Sequence, residues 1–111
     1  MAEIGRNQIG GLDVPPLPPS HVPGLSNAAE FFPGMPKGWS LGFLLYMQAV
    51  PGRRAAGSLA WAGLANTYYW IDPASGVTGL ILTQILPFAD PAVLDLLASF
   101  ETAVYSDLAA S

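Results

Sequence analysis

One serine of this sequence has the spacing of a catalytic nucleophile. Residues 38–42 read Gly-Trp-Ser-Leu-Gly and match the G-x-S-x-G nucleophile elbow, in which Ser40 would be the attacking group. The elbow requires a buried strand before the serine, a helix after it and a histidine further along the chain. Here a Pro/Gly-rich stretch precedes Ser40, a strand-like run follows it, and the single histidine, His21, lies upstream. The surrounding sequence therefore argues against Ser40 as a nucleophile.

Metal and acid–base chemistry have few candidate residues. A catalytic zinc usually takes three protein ligands, often including two histidines, whereas this chain has one histidine and no cysteine. Asp90 and Asp95 lie at or near a predicted helix start, where capping is a better interpretation than catalysis. The Tyr68-Tyr69-Trp70 run could stack on a ligand but is more typical of packing within a strand. We therefore expect no metal and no cofactor.

The composition limits the possible partners. The chain has 111 residues, enough for one domain at most, and 11% are charged, whereas soluble domains average about 25%. A net charge of −4 leaves no continuous basic surface for nucleic acid, since the basic residues are only Arg6, Lys37, Arg53 and Arg54. The longest apolar run, 77–88, is shorter than the roughly 18 residues of a membrane helix. We expect no membrane span and, without a secretory signal, a cytoplasmic location by default.

Three regions follow from composition and periodicity, and together they predict an α+β fold. Residues 1–12 are predicted to end a helix, and residues 13–38 carry seven of the eleven prolines and predict a long loop. Residues 39–111 predict an incomplete domain, an antiparallel sheet of about four strands followed by one C-terminal helix. The predicted strands are 39–50, 58–64, 67–71 and 77–86. The predicted apolar face of the helix consists of Val93, Leu97, Phe100, Val104 and Leu108.

The fourth predicted strand is apolar on both faces. Alternation places Leu80 and Leu82 on one face, and Ile81 and Ile85 on the other. One amphipathic helix can cover only one side of a sheet, and leaving a Leu or Ile side chain in water forfeits about 1.5–3 kcal/mol. A few such residues rival the net stability of a domain, about 5–15 kcal/mol. We therefore expect the second side to be covered by the rest of a larger fold or by a second copy of the chain.

The order of these segments resembles a known superfamily. Residues 57–64, 66–73 and 77–84, followed by the terminal helix, resemble the C-terminal end of the serine β-lactamase and penicillin-binding-protein superfamily. The nearest likeness is to class C β-lactamase-like esterases, the family VIII carboxylesterases. In that superfamily a Lys-Thr-Gly triplet lies on the sheet-edge strand beside the active site. Here Trp61-Ala62-Gly63 stands in its place, a Trp-x-Gly pattern that the esterase branch shows. The resemblance covers residues 39–105.

The resemblance implies roles for four residues. Trp61, Ala62 and Gly63 would border the substrate, and Leu64, which follows the triplet, would donate its backbone N–H to the oxyanion hole. Gly63 has no Cβ and would allow close approach of the acyl group. Trp61 replaces the lysine of the triplet and so removes a cation that would hold a substrate carboxylate. The resemblance therefore favours small neutral esters over penicillin-like acids.

Two motifs of the superfamily are missing from this sequence. Lys37 is the only lysine and has Gly34 three residues before it, so no Ser-x-x-Lys is present, and no tyrosine begins a Tyr-x-Asn. The resemblance thus implies the C-terminal portion of a serine ester hydrolase whose nucleophile and base lie in an N-terminal part, and the isolated chain is predicted to be inactive. Two alternatives remain open, a non-catalytic module that binds itself or a partner through its apolar sheet face, and a hydrophobic-ligand binder.

Overall fold

The computed structural model describes residues 3–111, which form one antiparallel sheet and one helix. The five strands are neighbours in chain order, namely β1 (Lys37–Trp39), β2 (Leu44–Tyr46), β3 (Leu59–Gly63), β4 (Thr67–Asp72) and β5 (Val77–Ile81). The helix α1 spans Pro91–Ala110. The predicted fold class, an antiparallel sheet followed by a C-terminal helix, is confirmed.

The first predicted strand, 39–50, is wrong as a single element. The chain turns at Ser40, so that β1 and β2 form a short hairpin. The Ser40 hydroxyl accepts hydrogen bonds from the N–H groups of Gly42 and Phe43, and the Ser40 N–H donates to the Phe43 carbonyl at 2.9 Å. Serine side chains favour such turns because their oxygen satisfies nearby backbone donors. The fourth strand is also shorter than predicted, because β5 ends at Ile81.

Cross-strand pairing arranges neighbouring residues of each strand on opposite faces of the sheet. One row, which we name the covered row, lies on the face packed against α1 and contains Leu44, Ala60, Trp70 and Gly79. A second row, which we name the open row, lies on the other face and contains Trp61, Tyr69 and Leu80. Each residue of the open row is the immediate chain neighbour of a residue in the covered row.

The helix begins as predicted, at a capped N-terminus. The Asp90 side chain accepts a hydrogen bond from the Val93 N–H at 3.1 Å, and proline follows at the first helical position. The predicted apolar face is wrong in part. The buried helical residues are Val93, Leu97, Glu101 and Tyr105, whereas Phe100 and Leu108 are exposed. Compared with the predicted face, the buried face is rotated toward Glu101 and Tyr105. These two polar residues can be buried because each has hydrogen-bond partners in the sheet and its loops.

These partners form two buried polar clusters. Glu101 accepts hydrogen bonds from the Arg54 side chain, at 2.6 and 2.9 Å, and from Arg53 at 2.7 Å. Asp72 accepts from the Tyr105 hydroxyl at 2.7 Å, and that hydroxyl in turn accepts from the Trp70 indole N–H at 3.1 Å. A buried charge is tolerated only when it is paired and hydrogen-bonded, and both clusters meet this condition. They join α1 to the sheet.

The N-terminal third wraps the sheet without regular structure of its own. Residues 3–12 form turns and bends and not the predicted helix end, while residues 1 and 2 of that prediction lie outside the described residues. The prolines of the following loop leave few donors, and its ordered contacts include an isolated bridge between Leu17 and Ala29 and a hydrogen bond from the Lys37 N–H to Asp13. The loop places Phe31 and Phe32 against the core.

Candidate functional site

The predicted substrate-binding strand, β3, is an internal strand over half of its length and an edge over the other half. It pairs with β4 from Leu59 to Gly63, but on its other side it pairs with β2 only through Leu59 and Ala60. The prediction of an edge strand is therefore wrong for the strand as a whole, because β2 starts at Leu44 and leaves no partner beyond Ala60. From Trp61 to Gly63 one side of β3 is unpaired.

Backbone geometry identifies the groups that point out of this unpaired side. The Tyr46 N–H donates to the Ser58 carbonyl at 2.9 Å, so the C=O of Ser58 points toward β2, whereas its N–H donates to the Ala55 carbonyl. Because backbone groups of a strand alternate in direction with every residue, those of Ala60 and Ala62 point the same way. Ala60 lies opposite Leu44, whereas Ala62 has no opposite residue. The open edge therefore presents the N–H and C=O of Ala62.

The hairpin turn that follows β3 contains the predicted oxyanion donor. The Asn66 N–H donates to the Gly63 carbonyl at 3.1 Å, which makes Leu64 and Ala65 the central residues of a four-residue turn. Leu64 is 51% exposed, and none of residues 3–111 accepts a hydrogen bond from its backbone N–H. Leu64 lies two positions after Ala62, so alternation along the chain would direct its N–H to the same side as the backbone groups of Ala60 and Ala62. Its role as an oxyanion donor stays a prediction.

Aromatic rings border the open edge. The Trp61 indole packs edge-to-face against Trp39, with ring centroids 4.9 Å apart, and Tyr69 packs edge-to-face against Phe43 at 6.2 Å. Trp61 is 37% exposed and Leu80, further along the open row, is 53% exposed. The site side of the sheet therefore offers aromatic and aliphatic surface with no charged side chain in the row, which suits an apolar group.

A cavity of about 170 Å³ lies between the sheet and α1 and reaches the open part of β3 at Trp61 and Ala62. Phe32 and Leu97 are among its apolar lining residues, and its charged lining residues are Glu30, Arg53 and Arg54. The Arg53 guanidinium stacks on the Phe32 ring at 4.5 Å, and its Nε is buried and has no hydrogen-bond partner in residues 3–111. The lining of the cavity is mostly apolar.

Asn66 is the residue of this region that sequence analysis missed. Its side chain is fully buried and makes four hydrogen bonds, to backbone groups before and at the helix start and to the Tyr68 hydroxyl. Asn66 also has a positive φ of 63°, a conformation that asparagine adopts more readily than most residues. An asparagine directly after a predicted strand was the available signal, because this residue is typical of such turns.

The remaining candidates carry no catalytic geometry. Ser40 is buried in its turn and His21 is exposed. Burial raises the pKa of Tyr46 and of Tyr68 to about 12, so both hydroxyls stay protonated near neutral pH and neither is a general base there. Within residues 3–111 no three His, Cys, Asp or Glu side chains converge as a metal site, and no helix is long and apolar enough to cross a membrane.

Comparison with known proteins defines the class of fold. No family model matches the chain. Solved structures match it with the serine β-lactamase-like fold, so the predicted resemblance to the C-terminal sheet and helix of that superfamily is confirmed. Unliganded simvastatin synthase (LovD) from Aspergillus terreus is 31% identical with a TM-score of 0.63, over 66% of this chain and 19% of that one. A LovD mutant is 29% identical with a TM-score of 0.68, over 69% and 20%.

The curated relatives that match the chain are named as methylbutanoyltransferases. ML-236A carboxylate methylbutanoyltransferase from Penicillium citrinum is 34% identical over 89 residues, which is 78% of this chain and 21% of the relative. Monacolin J acid methylbutanoyltransferase from Aspergillus terreus is 33% identical over 72 residues, 63% of this chain and 17% of the relative. The chain thus spans about a fifth of the length of the relatives it matches. By name these relatives are acyltransferases and not esterases.

Proposed function

We propose that this chain forms one wall of an acyl-transfer site in a serine enzyme of the β-lactamase-like fold. The single observation that carries the proposal is the open edge of β3, which ends at the unpaired backbone N–H of Leu64. An exposed donor without a partner in the chain suits an oxyanion that is present only during reaction. The similarity of the same residues to acyltransferases supports this assignment.

In the proposed reaction the nucleophile is a serine outside this chain. Its oxygen attacks the carbonyl carbon of a neutral ester, and the carbonyl oxygen becomes an oxyanion that accepts a hydrogen bond from the Leu64 N–H. The ester C–O bond then breaks, the leaving alcohol takes the serine proton, and an acyl-enzyme remains. Water or an acceptor hydroxyl attacks that acyl-enzyme and releases the acid or a new ester. Hydrolysis and acyl transfer therefore share the step that this chain serves.

Gly63 supports a close approach of the acyl group to β3. A Cβ at this position would make only an ordinary contact, 3.5 Å from the Thr67 Cβ, and its backbone does not require positive φ. The fold itself therefore does not demand glycine here. In the proposal, the missing side chain leaves room for the reacting carbonyl, while Ala62 and Trp61 border the acyl substituent.

The charges of the chain support a neutral acyl donor. The Lys37 ammonium is buried and donates to the carbonyls of Met35 and Phe32 at 3.0 and 3.4 Å, so the chain's own backbone already binds it. Arg53 and Arg54 are both paired with Glu101. None of these cations lies in the open row. In the proposal a carboxylate on the acyl group finds no unpaired cation in the open row, which favours small apolar acyl esters.

The open row also supports a proposal about partners. Because the chain spans a fifth of its relatives, we propose that the N-terminal part of a longer polypeptide covers Trp61, Tyr69 and Leu80 and supplies the nucleophile. The alternative is a non-catalytic module that covers the same row by self-association. Sedimentation of the isolated chain separates them, since a stable dimer that buries Trp61 would favour the module.

A replacement at Leu64 tests the proposed donor. Proline removes the N–H but suits the first central position of a four-residue turn, and Gly63 before it is extended as proline requires. The test uses a chimera in which this chain replaces the matching segment of the Aspergillus terreus acyltransferase. We expect Leu64→Pro to lower kcat for p-nitrophenyl butanoate by about 10²–10³-fold, the loss typical of one oxyanion donor.

Leu64→Ala is the matched control, because it shortens the same side chain and keeps the N–H. It should retain kcat within about threefold, since an exposed side chain contributes little. Two results contradict the proposal, a chimera that melts cooperatively but forms no acyl-enzyme, and equal activity of the proline and alanine variants. The ratio of free acid to transferred ester in the same assay distinguishes hydrolysis from acyl transfer.

A further inference from the structure

The Asn66 side chain ties the turn after β3 to the segment before α1. Its Nδ2 donates to the carbonyls of Ile85 and Pro87 at 2.8 and 2.7 Å. Its Oδ1 accepts from the Tyr68 hydroxyl at 2.7 Å and from the Asp90 N–H at 3.0 Å. An asparagine side chain has two donor hydrogens and an oxygen with two lone pairs. All four are used, inside a site from which water is excluded.

The backbone of the same turn is held on both sides. The Ile85 N–H and the Thr83 hydroxyl both donate to the Ala65 carbonyl, and the Thr83 hydroxyl also lies 2.9 Å from the Asn66 carbonyl. The Asn66 N–H closes the turn onto Gly63. Leu64 is therefore the exposed residue of a turn whose other members are anchored to a segment about twenty positions further along the chain.

This anchoring exceeds what the hairpin needs. Five residue pairs between β3 and β4 already fix the register of the two strands. A loop tip without further contacts is normally mobile. An oxyanion donor, by contrast, contributes only if its direction is set before the reaction begins. We infer that Asn66 is a positioning residue that holds the Leu64 N–H toward the open edge, an inference that rests on the proposed function.

A double-mutant cycle in the chimera tests this role. Asn66→Gly keeps the positive φ, because glycine adopts it freely, but removes all four side-chain hydrogen bonds. We expect it to lower kcat by about tenfold or more and to leave KM within about twofold, since misplacement by about 1 Å can cost up to about 10²-fold in rate. In the Leu64→Pro background, Asn66→Gly should lower kcat by less than twofold, because the group it positions is gone.

Asn27→Ala is the matched control for stability. The Asn27 Nδ2 donates to the Ala89 carbonyl at 3.3 Å, so this residue also holds the segment before α1, but it does not contact the turn. We expect Asn27→Ala to lower the melting temperature while kcat stays within about twofold of the unmodified chimera. A loss of kcat that follows melting temperature across Asn27→Ala and Asn66→Gly would overturn the positioning role.

The outcomes separate this inference from the proposal beneath it. If Leu64→Pro lowers kcat and Asn66→Gly does not, the donor stands and the positioning role is wrong. If Asn66→Gly acts equally in both backgrounds, its effect is merely structural and the inference is also wrong. If Leu64→Pro has no effect, the proposed function itself fails.

A measurement on the isolated chain keeps the inference testable if a chimera variant does not fold. The ¹⁵N order parameter of the Leu64 amide should be about 0.85, as for rigid backbone, and should fall below about 0.6 in Asn66→Gly. The amides of β4 serve as the internal reference and should not change. An equally rigid Leu64 amide in both proteins would overturn the inference.

Discussion

The covered row and the open row are made of neighbouring residues and yet have opposite properties. Trp70 is completely buried beneath α1, and Gly79 beside it leaves room for the indole ring. One position away on the same strands, Tyr69 and Leu80 face the other side, where Leu80 is more than half exposed. The contrast shows that this chain buries one face of its sheet with its own residues and leaves apolar side chains exposed on the other.

The covered side also contains the buried charges. Burial alone would raise the pKa of Glu101, but the guanidiniums of Arg54 and Arg53 hold it below its usual value. Burial likewise opposes ionisation of Asp72, yet hydrogen bonds from the Ala55 N–H and the Tyr105 hydroxyl lower its pKa. Both carboxylates are therefore ionised in the folded chain and bound to their partners. The open row has no such groups.

Among the variants that compare the two faces, replacement of Glu101 should lower the free energy of unfolding the most. Glu101→Ala leaves two arginines without their counter-charge, and breaking a buried ion pair in this way typically costs about 3–5 kcal/mol. Urea unfolding of the isolated chain measures the free energy. The control is Glu3→Ala, which breaks an exposed pair with Arg6 and should cost less than about 1 kcal/mol. Equal costs for the two variants would contradict the importance of the buried cluster.

Glu101→Ala also tests how the stability of the chain depends on pH. Because the folded-state pKa of Glu101 is lowered, its contribution is complete above the unfolded value, about 4.3, and is lost as the pH falls through the folded pKa. The parent chain should therefore lose stability on acidification below about pH 4.3, and Glu101→Ala should lose less over the same range. Parallel losses would show that other carboxylates control acid unfolding.

The substitution Gly79→Ala should cause the next largest loss in the free energy of unfolding. A Cβ at this position would overlap the ring of Trp70, which is completely buried. Overpacking of this kind typically costs about 1–3 kcal/mol. Gly42→Ala is the control, because its Cβ would meet nothing within 4 Å and its φ is not positive. Urea midpoints should fall for Gly79→Ala and change little for Gly42→Ala, and similar midpoints would contradict tight packing of the covered row.

Sequence analysis predicted the elements whose signals are local. The helix start follows from Asp90 and Pro91, and the strands β3 and β4 follow from apolar runs between turn residues. The β1–β2 hairpin was missed because residues 39–50 are mostly apolar, and hydropathy does not register a turn closed by Ser40. Periodicity also left Glu101 out of the predicted buried face of the helix, since the arginines that pair with it lie 47 and 48 positions earlier. Such partners are visible only in three dimensions.

In the candidate site, too, the features with local sequence signals were predicted and those that depend on distant residues were missed. The resemblance directed attention to residues 61–64, and the structure gives this stretch an unpaired edge and an unpaired N–H at Leu64. The fact that β3 is internal at Ala60 and open at Ala62 depends on where β2 begins, which depends in turn on the missed turn at Ser40. The role of Asn66 was hidden for a similar reason, because its acceptors lie about twenty residues away.

The smallest effect in the isolated chain is expected at Leu80, on the open row. Leu80→Thr introduces a β-branched residue suited to a strand and removes apolar surface that is already half exposed, so the free energy of unfolding should change by less than about 0.5 kcal/mol. According to the proposal, other parts of the polypeptide cover the open row in the chimera. There the same substitution should lower the free energy of unfolding by about 1.5–3 kcal/mol. A large cost in the isolated chain would mean that the chain shelters Leu80 by self-association. A negligible cost in both proteins would mean that the row stays exposed, and the comparison between the two faces would then say nothing about a missing partner.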